Sequence, residues 1–294
     1  MSNSPLPNFL IIGAAKAGTT TLFDALKQHP QVFCSTPKET RFFSDDERFA
    51  RGMEWYLDTC FKGSAGYPAR GEATPQYLSL SEKAVPRIQA AFGSEPLKFI
   101  VIFRDPVQRA YSHYWQTIRF GEEKLSFDAA MAAEDERLGK DRDDLSVTVA
   151  GTYASRLKPF LDGFPRDRFL FLLNEDLARD FGGTLAKAAA FIGVSPSFDF
   201  QAIKSNPAIM PTNQTLFNLL RRPSFLRRLA RVIIPLPGLR GQVKDALHDA
   251  AAKPFQYPPM DPKAEQMLRA RFADQVKQLE QMTGLDLARW YPSV

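Results

Sequence analysis

From Phe9 to about residue 205, short unbroken apolar runs alternate with segments whose apolar residues recur every three or four positions. The unbroken runs are Phe9 to Ile12, the stretch Phe99-Ile-Val-Ile-Phe103 within an expected strand over Leu97 to Phe103, and, within Arg168 to Leu173, the stretch Phe169-Leu-Phe-Leu-Leu. A run that is apolar on both faces suits a parallel strand covered by helices above and below. The periodic segments predict helices. Thr19 to Gln28 places Leu22, Phe23 and Leu26 on one side and stops at His29-Pro30; Trp55 to Phe61 follows. Ser81 to Phe92 has a stripe of Val85, Ile88 and Phe92, with Ser81 as its cap. Asp105 and Pro106 form a cap and first turn for a helix running past Tyr111 and Trp115. A further helix is expected over Thr152 to Leu161. Such alternation predicts an α/β fold, a central parallel sheet flanked by helices in three layers.

Beyond Ser205 the rhythm changes. Prolines and arginines concentrate between Pro207 and Pro237, and one long helix is expected over Lys263 to Met282, with no further strong strand. The expected organisation is a single domain with an α/β core over residues 1–205 and a mainly helical extension over 206–294. The arginines from Arg221 to Arg231 interleave with apolar residues. They form either the solvated face of a packed helix or a surface for peripheral contact with a membrane or an anionic acceptor.

Composition adds limits. The 294 residues are 44% hydrophobic and 24% charged, as in ordinary globular chains, which excludes a disordered or fibrous class. Two cysteines, Cys34 and Cys60, cannot build a disulfide framework. No apolar run reaches the roughly 20 residues of a membrane span, and residues 1–7 lack the basic start of a signal peptide. The expectation is a cytoplasmic protein. A net charge of +5 suits anionic ligands but is too small to indicate nucleic acid.

Candidate chemistry concentrates behind the first strand, in Gly13-Ala-Ala-Lys16-Ala17-Gly18-Thr19-Thr20-Thr21. Small residues let backbone approach an anion, the helix start offers unpaired N–H groups, and three hydroxyls and a lysine add donors. The spacing approaches the triphosphate loop Gly-x4-Gly-Lys-Ser/Thr, but Thr19 stands where that lysine belongs and Lys16 lies earlier. The loop suits phosphate rather than a nucleoside triphosphate. A second anion group is Arg104, at the end of the Leu97 to Phe103 strand where open α/β sheets bind ligands. Its guanidinium suits phosphate, and Ser112 lies about two turns further on.

These two segments resemble the 5′-phosphosulfate loop and the 3′-phosphate motif of sulfotransferases that use 3′-phosphoadenosine 5′-phosphosulfate (PAPS). The resemblance runs from Phe9 to Trp290. It implies a P-loop-like fold, a donor held by Lys16, Ala17, Gly18, Thr19, Thr20, Thr21, Arg104 and Ser112, and a catalytic Lys16 facing the leaving oxygen. Tyr153 and Arg156 are further residues that the resemblance puts near the donor. Pro37-Lys38-Glu39-Thr40-Arg41-Phe42-Phe43 is similar to the segment carrying the glutamate base in the carbohydrate branch, especially the heparan sulfate enzymes. Glu39 is therefore the expected general base, since a hydroxyl attacks well only as its proton leaves. His29, His113 and His248 occupy no obvious base position. Gly71-Glu72-Ala73-Thr74-Pro75 resembles another segment of that branch, but Ala73 replaces its lysine, and Ser44 replaces an acidic residue. Lys38 and Arg41 are the expected acceptor contacts, and Glu72 is either a further acceptor contact or a buried structural carboxylate. The implied reaction is transfer of a sulfuryl group to a small-molecule or glycan hydroxyl, with no metal. The rivals are a nucleotide kinase or ATPase, and a non-catalytic module binding nucleotides or polyanions.

Overall fold

The computed structural model describes residues 5–137, 147–203, 209–212 and 252–291. They fall into two compact units. The first draws on Met1–Ala110, Thr148–Lys204 and Pro262–Val294, the second on Tyr111–Val147 and Ser205–Asp261. These units do not follow the division expected at residue 205, because the last long helix belongs with the sheet. The stretch Arg221 to Arg231 and His248 lie outside the described residues.

The first unit is built on strands β1 (Phe9–Gly13), β2 (Val32–Cys34), β3 (Ala69–Ala73), β4 (Lys98–Phe103) and β5 (Phe169–Leu173). All neighbours pair in parallel, in the order β2-β3-β1-β4-β5. β1 and β4 are central, and every residue of β1 is buried, as its unbroken apolar run requires. Helices α1 (Thr19–Leu26) and, near the chain's middle, Phe181–Ile192 cover one face. There Leu22, Phe23, Leu26, Leu185, Ala188 and Ile192 pack with Phe9, Ile11, Ile100 and Ile102. Each such side chain contributes about 1.5–3 kcal/mol on full burial, so this layer fixes the strands before any polar contact is counted.

Short helices α2 (Asp46–Phe49), α3 (Gly52–Cys60) and α4 (Gln76–Ser79) precede α5 (Ser81–Phe92), α6 (Pro106–Phe120), α7 (Phe127–Ala132) and α8 (Glu134–Arg137). Helices α9 (Tyr153–Gly163), α10 (Asn174–Arg179), α11 (Phe181–Ile192) and α12 (Pro262–Thr283) complete the set among the described residues. On the second face of the sheet, Phe160 of α9 lies 5.7 Å from Phe99, and Tyr153 lies 5.0 Å from Phe103, centroid to centroid. α5 and α12 both pack on α9. The fold is the three-layer α/β arrangement expected from sequence.

Asp105 caps α6 as expected, its carboxylate accepting from the Val107 N–H at 2.9 Å. Ser81 does not cap α5. Leu80 occupies that position, and the Ser81 hydroxyl is buried without a hydrogen-bond partner. Two short strands, β6 (Ile209–Pro211) and β7 (Ala252–Pro254), pair antiparallel where no strand was expected. They belong to the second unit. There Trp115 stacks on Tyr257 at 5.9 Å, and the Tyr111 hydroxyl donates to the Pro258 carbonyl at 3.0 Å. Cys34 and Cys60 are free thiols, and burial pushes both up to about 12, so they stay protonated near neutrality.

Candidate active site

The expected donor segments follow directly on the carboxyl ends of β1 and β4. β1 runs into the Gly13–Gly18 loop, which turns directly into α1. The Ala14 N–H donates to the Ile102 carbonyl at 2.7 Å, fastening the loop to β4. Lys16 and Gly18 both have left-handed backbone, with φ of 68° and 96°. For lysine that conformation is strained and persists only where its surroundings hold it. Gly18 has a second constraint, because the Asn174 side-chain amide occupies the space a Cβ would need. No side chain caps α1. Its first N–H groups have no intrahelical acceptors, and the dipole adds positive potential at the same end. Thr19 is buried, Thr21 half-buried and Thr20 exposed.

Arg104 follows β4 directly. Its guanidinium donates to the Lys16 carbonyl at 3.4 Å, so the two expected phosphate segments meet. Tyr153, expected near the donor, is fully buried under this residue and donates its hydroxyl to the Arg104 carbonyl at 2.9 Å. Its role in this geometry is to hold the Arg104 backbone. Burial raises that phenol further, keeping it a donor. The neighbouring turn is pinned by Glu175, which accepts from the Asp105 N–H at 2.8 Å. Ser112 is buried on α6 and belongs to the second unit. Arg156 is half-buried on α9.

Glu39 sits in the segment between β2 and α2. Lys38 joins it to the anion loop: its ammonium donates to the Thr20 hydroxyl at 2.9 Å and to Glu39 Oε1 at 3.3 Å. Arg41 lies on the other side, 3.7 Å from Glu39 Oε2. The Glu39 side chain is 36% exposed, so it combines fixed neighbours with access from outside. Lys38 and Arg41, expected as acceptor contacts, thus flank the carboxylate. Arg41 also has left-handed backbone, with φ of 56°.

Glu72 follows the second of its two expected readings. It has no exposed surface, so it is a buried carboxylate and not an acceptor contact. Its carboxylate instead accepts four hydroxyls. Tyr56 and Tyr77 donate to Oε1 at 2.7 and 2.9 Å, and Thr40 and Thr74 donate to Oε2, each at 2.6 Å. Burial pushes the Glu72 carboxyl above the ordinary range, while the four hydroxyls pull it down. Burial, followed by the Glu72 charge, raises both tyrosines far above theirs. This arrangement, and the Asn174 amide packed on Gly18, escaped sequence reasoning. For Asn174 the available signal was a polar residue directly after an expected strand; β3, which carries Glu72, was not among the strands expected from sequence.

Residues 6–218 match the protein family described as Sulfotransferase domain. The chain is 34% identical over 189 residues to mouse (Mus musculus) heparan sulfate glucosamine 3-O-sulfotransferase 3B1, covering 64% of this chain and 46% of that protein. It is 34% identical over 208 residues to the human (Homo sapiens) heparan sulfate glucosamine 3-O-sulfotransferase 6, covering 69% of this chain and 58% of that one. The chain thus spans about half the length of the curated relatives it matches. The crystal structure of a sulfotransferase from Alicyclobacillus acidocaldarius superposes with a TM-score of 0.72 at 27% identity, covering 97% of this chain and 99% of that one. The match over residues 6–218 takes in the Lys16 loop, the Glu39 segment and Arg104 together, and the chain belongs to the sulfotransferase domain family.

Proposed function

We propose that the protein transfers a sulfuryl group from PAPS to an acceptor hydroxyl, on a carbohydrate or a similar alcohol. The observation that carries this reading is the hydrogen-bonded connection of three chemistries: the Lys16 loop, Arg104 bonded to it, and Glu39 tied to it through Lys38. The uncapped start of α1, free of a Cβ at Gly18, fits a 5′-phosphate, and Arg104 fits the 3′-phosphate. Ser112 joins that second group on the strength of the sequence motif. The donor supplies a sulfuryl group already activated by its bond to phosphate. Glu39 takes the acceptor's proton as the hydroxyl oxygen bonds to sulfur. The bond from sulfur to the 5′-phosphate oxygen breaks, and its electron pair stays on that oxygen. Lys16 and the α1 amides meet the charge that builds there. Written this way, the transfer balances without a metal. The glycan class draws support from the relatives, whose names specify glucosamine in heparan sulfate. A kinase is disfavoured because Thr19 replaces the triphosphate-loop lysine.

The test begins with binding. Adenosine 3′,5′-bisphosphate at a hundred times its Kd is expected to stabilise the fold by about 2.7 kcal/mol in a thermal-shift measurement without magnesium. Adenosine 5′-monophosphate should do less, since it leaves Arg104 without its anion. Equal shifts, or a strict magnesium requirement, count against the assignment. Arg104→Ala should weaken the bisphosphate by about 1.5–3 kcal/mol, the value of a charge-assisted hydrogen bond, read by calorimetry. Mass spectrometry of PAPS reactions with glucosamine-containing oligosaccharides and simple alcohols then identifies the acceptor.

A further inference from the structure

We propose that Glu72 is a positioning residue for the proton acceptor. By gathering four hydroxyls it fixes Thr40, and through Thr40 it fixes the adjoining Glu39. This rests on the reading of Glu39 as the base.

The hydroxyls come from four places in the chain. Tyr56 lies on α3, Tyr77 on α4, Thr74 just after β3, and Thr40 next to Glu39. The same hydroxyl oxygens accept from the loop backbone. The Arg41 N–H donates to Thr74 Oγ1 at 3.3 Å, Phe42 N–H to Thr40 Oγ1 at 3.3 Å, and Phe43 N–H to Tyr77 Oη at 3.4 Å. Three successive amides behind Glu39 are thus held by groups that themselves point at Glu72. The Thr40 carbonyl is held as well, by the Arg48 guanidinium. The left-handed Arg41 follows directly.

Glu39's own ionic neighbours cannot do this work. Lys38 is 20% exposed, Arg41 49% and Glu39 36%, and pairs this open to solvent are each worth about 0–1 kcal/mol. Fixing a catalytic carboxylate therefore needs a buried support. A carboxylate suits the place because it only accepts, so four hydroxyl protons converge on it with one polarity. An amide of equal size would turn donors toward one pair of hydroxyls.

The experiment compares Thr40→Val, Thr40→Ser and Glu72→Gln with Glu39→Gln. Release of adenosine 3′,5′-bisphosphate from PAPS is followed across pH, with a glucosamine-containing oligosaccharide and with water alone as acceptor. Bisphosphate affinity and amide hydrogen exchange over residues 41–43 are measured on the same proteins. Thr40→Val and Glu72→Gln are expected to lower kcat by about tenfold to a hundredfold, as a displaced catalytic group does, with the bisphosphate Kd nearly unchanged. The acid limb of the pH profile should move, exchange at 41–43 should quicken, and Thr40→Ser should restore both. Wild-type kcat and acid limb in Thr40→Val overturn the inference. So does a lower melting temperature with an unmoved acid limb, the signature of a merely structural carboxylate. Wild-type turnover in Glu39→Gln overturns the base assignment instead, and the two failures are told apart by which variant retains its rate.

Discussion

Glu39→Gln is expected to lower turnover by roughly 10²–10⁴, the contribution of a positioned general base. Glutamine keeps the size and the contact to Lys38 but cannot take a proton. Bisphosphate affinity should change little, because the Glu39 carboxylate lies beside Lys38 and Arg41 rather than on the Gly13–Gly18 loop. A phenolic acceptor ionises more readily than an alcohol, so the variant should lose less rate on a phenol. Steady-state rates on the two acceptor types check this. Equal losses on both would point to lost binding or positioning rather than lost proton transfer.

The second large effect belongs to Lys16→Ala. Removing a donor aimed at a developing oxyanion costs roughly 10²–10³ in kcat where such stabilisation is direct. The effect should fall on turnover more than on bisphosphate affinity, because the contact strengthens as the leaving oxygen gains charge. Calorimetry beside single-turnover rates separates the two. A loss confined to affinity would make Lys16 a binding residue only. The left-handed backbone at position 16 adds a stability gain or loss of its own, so melting curves belong in the same comparison.

The sheet was legible because its central strands are apolar on both faces. Phe99 to Phe103 is buried throughout, and no helix of that composition would fit between two layers. The start of α6 was equally plain in Asp105-Pro106, where a cap and a fixed φ coincide. The anion loop could be read because its chemistry is contiguous: glycine, lysine and three hydroxyls lie within one turn of chain. Ser81 misled because cap preference is local, whereas the chain enters α5 straight from α4 and the cap position falls on Leu80. The β6–β7 pair was invisible, since three-residue strands ending in proline carry no periodicity. Glu72 was left between two readings for a different reason. Its partners lie at positions 40, 56, 74 and 77, and only the fold brings them to one carboxylate. Tyr56 and Tyr77 look like ordinary core aromatics in sequence, and nothing local says where their hydroxyls point.

The four-hydroxyl node also guards the pairing of β3 with β1. In the observed register Glu72 stands opposite Leu10. Side chains alternate along a strand, so a slip of one residue would send the carboxylate to the opposite face and bring Gly71 or Ala73 into its place. Neither can accept a hydrogen bond from its side chain. Tyr56, Tyr77, Thr40 and Thr74 would then keep buried hydroxyls with no acceptor, at about 1–3 kcal/mol each. Packing adds to this discrimination, because the Phe9 ring fills the space a Cβ at position 71 would need. A misaligned sheet is thus penalised by several hydroxyls at once, and the chain carries within β3 its own proofreading of strand alignment.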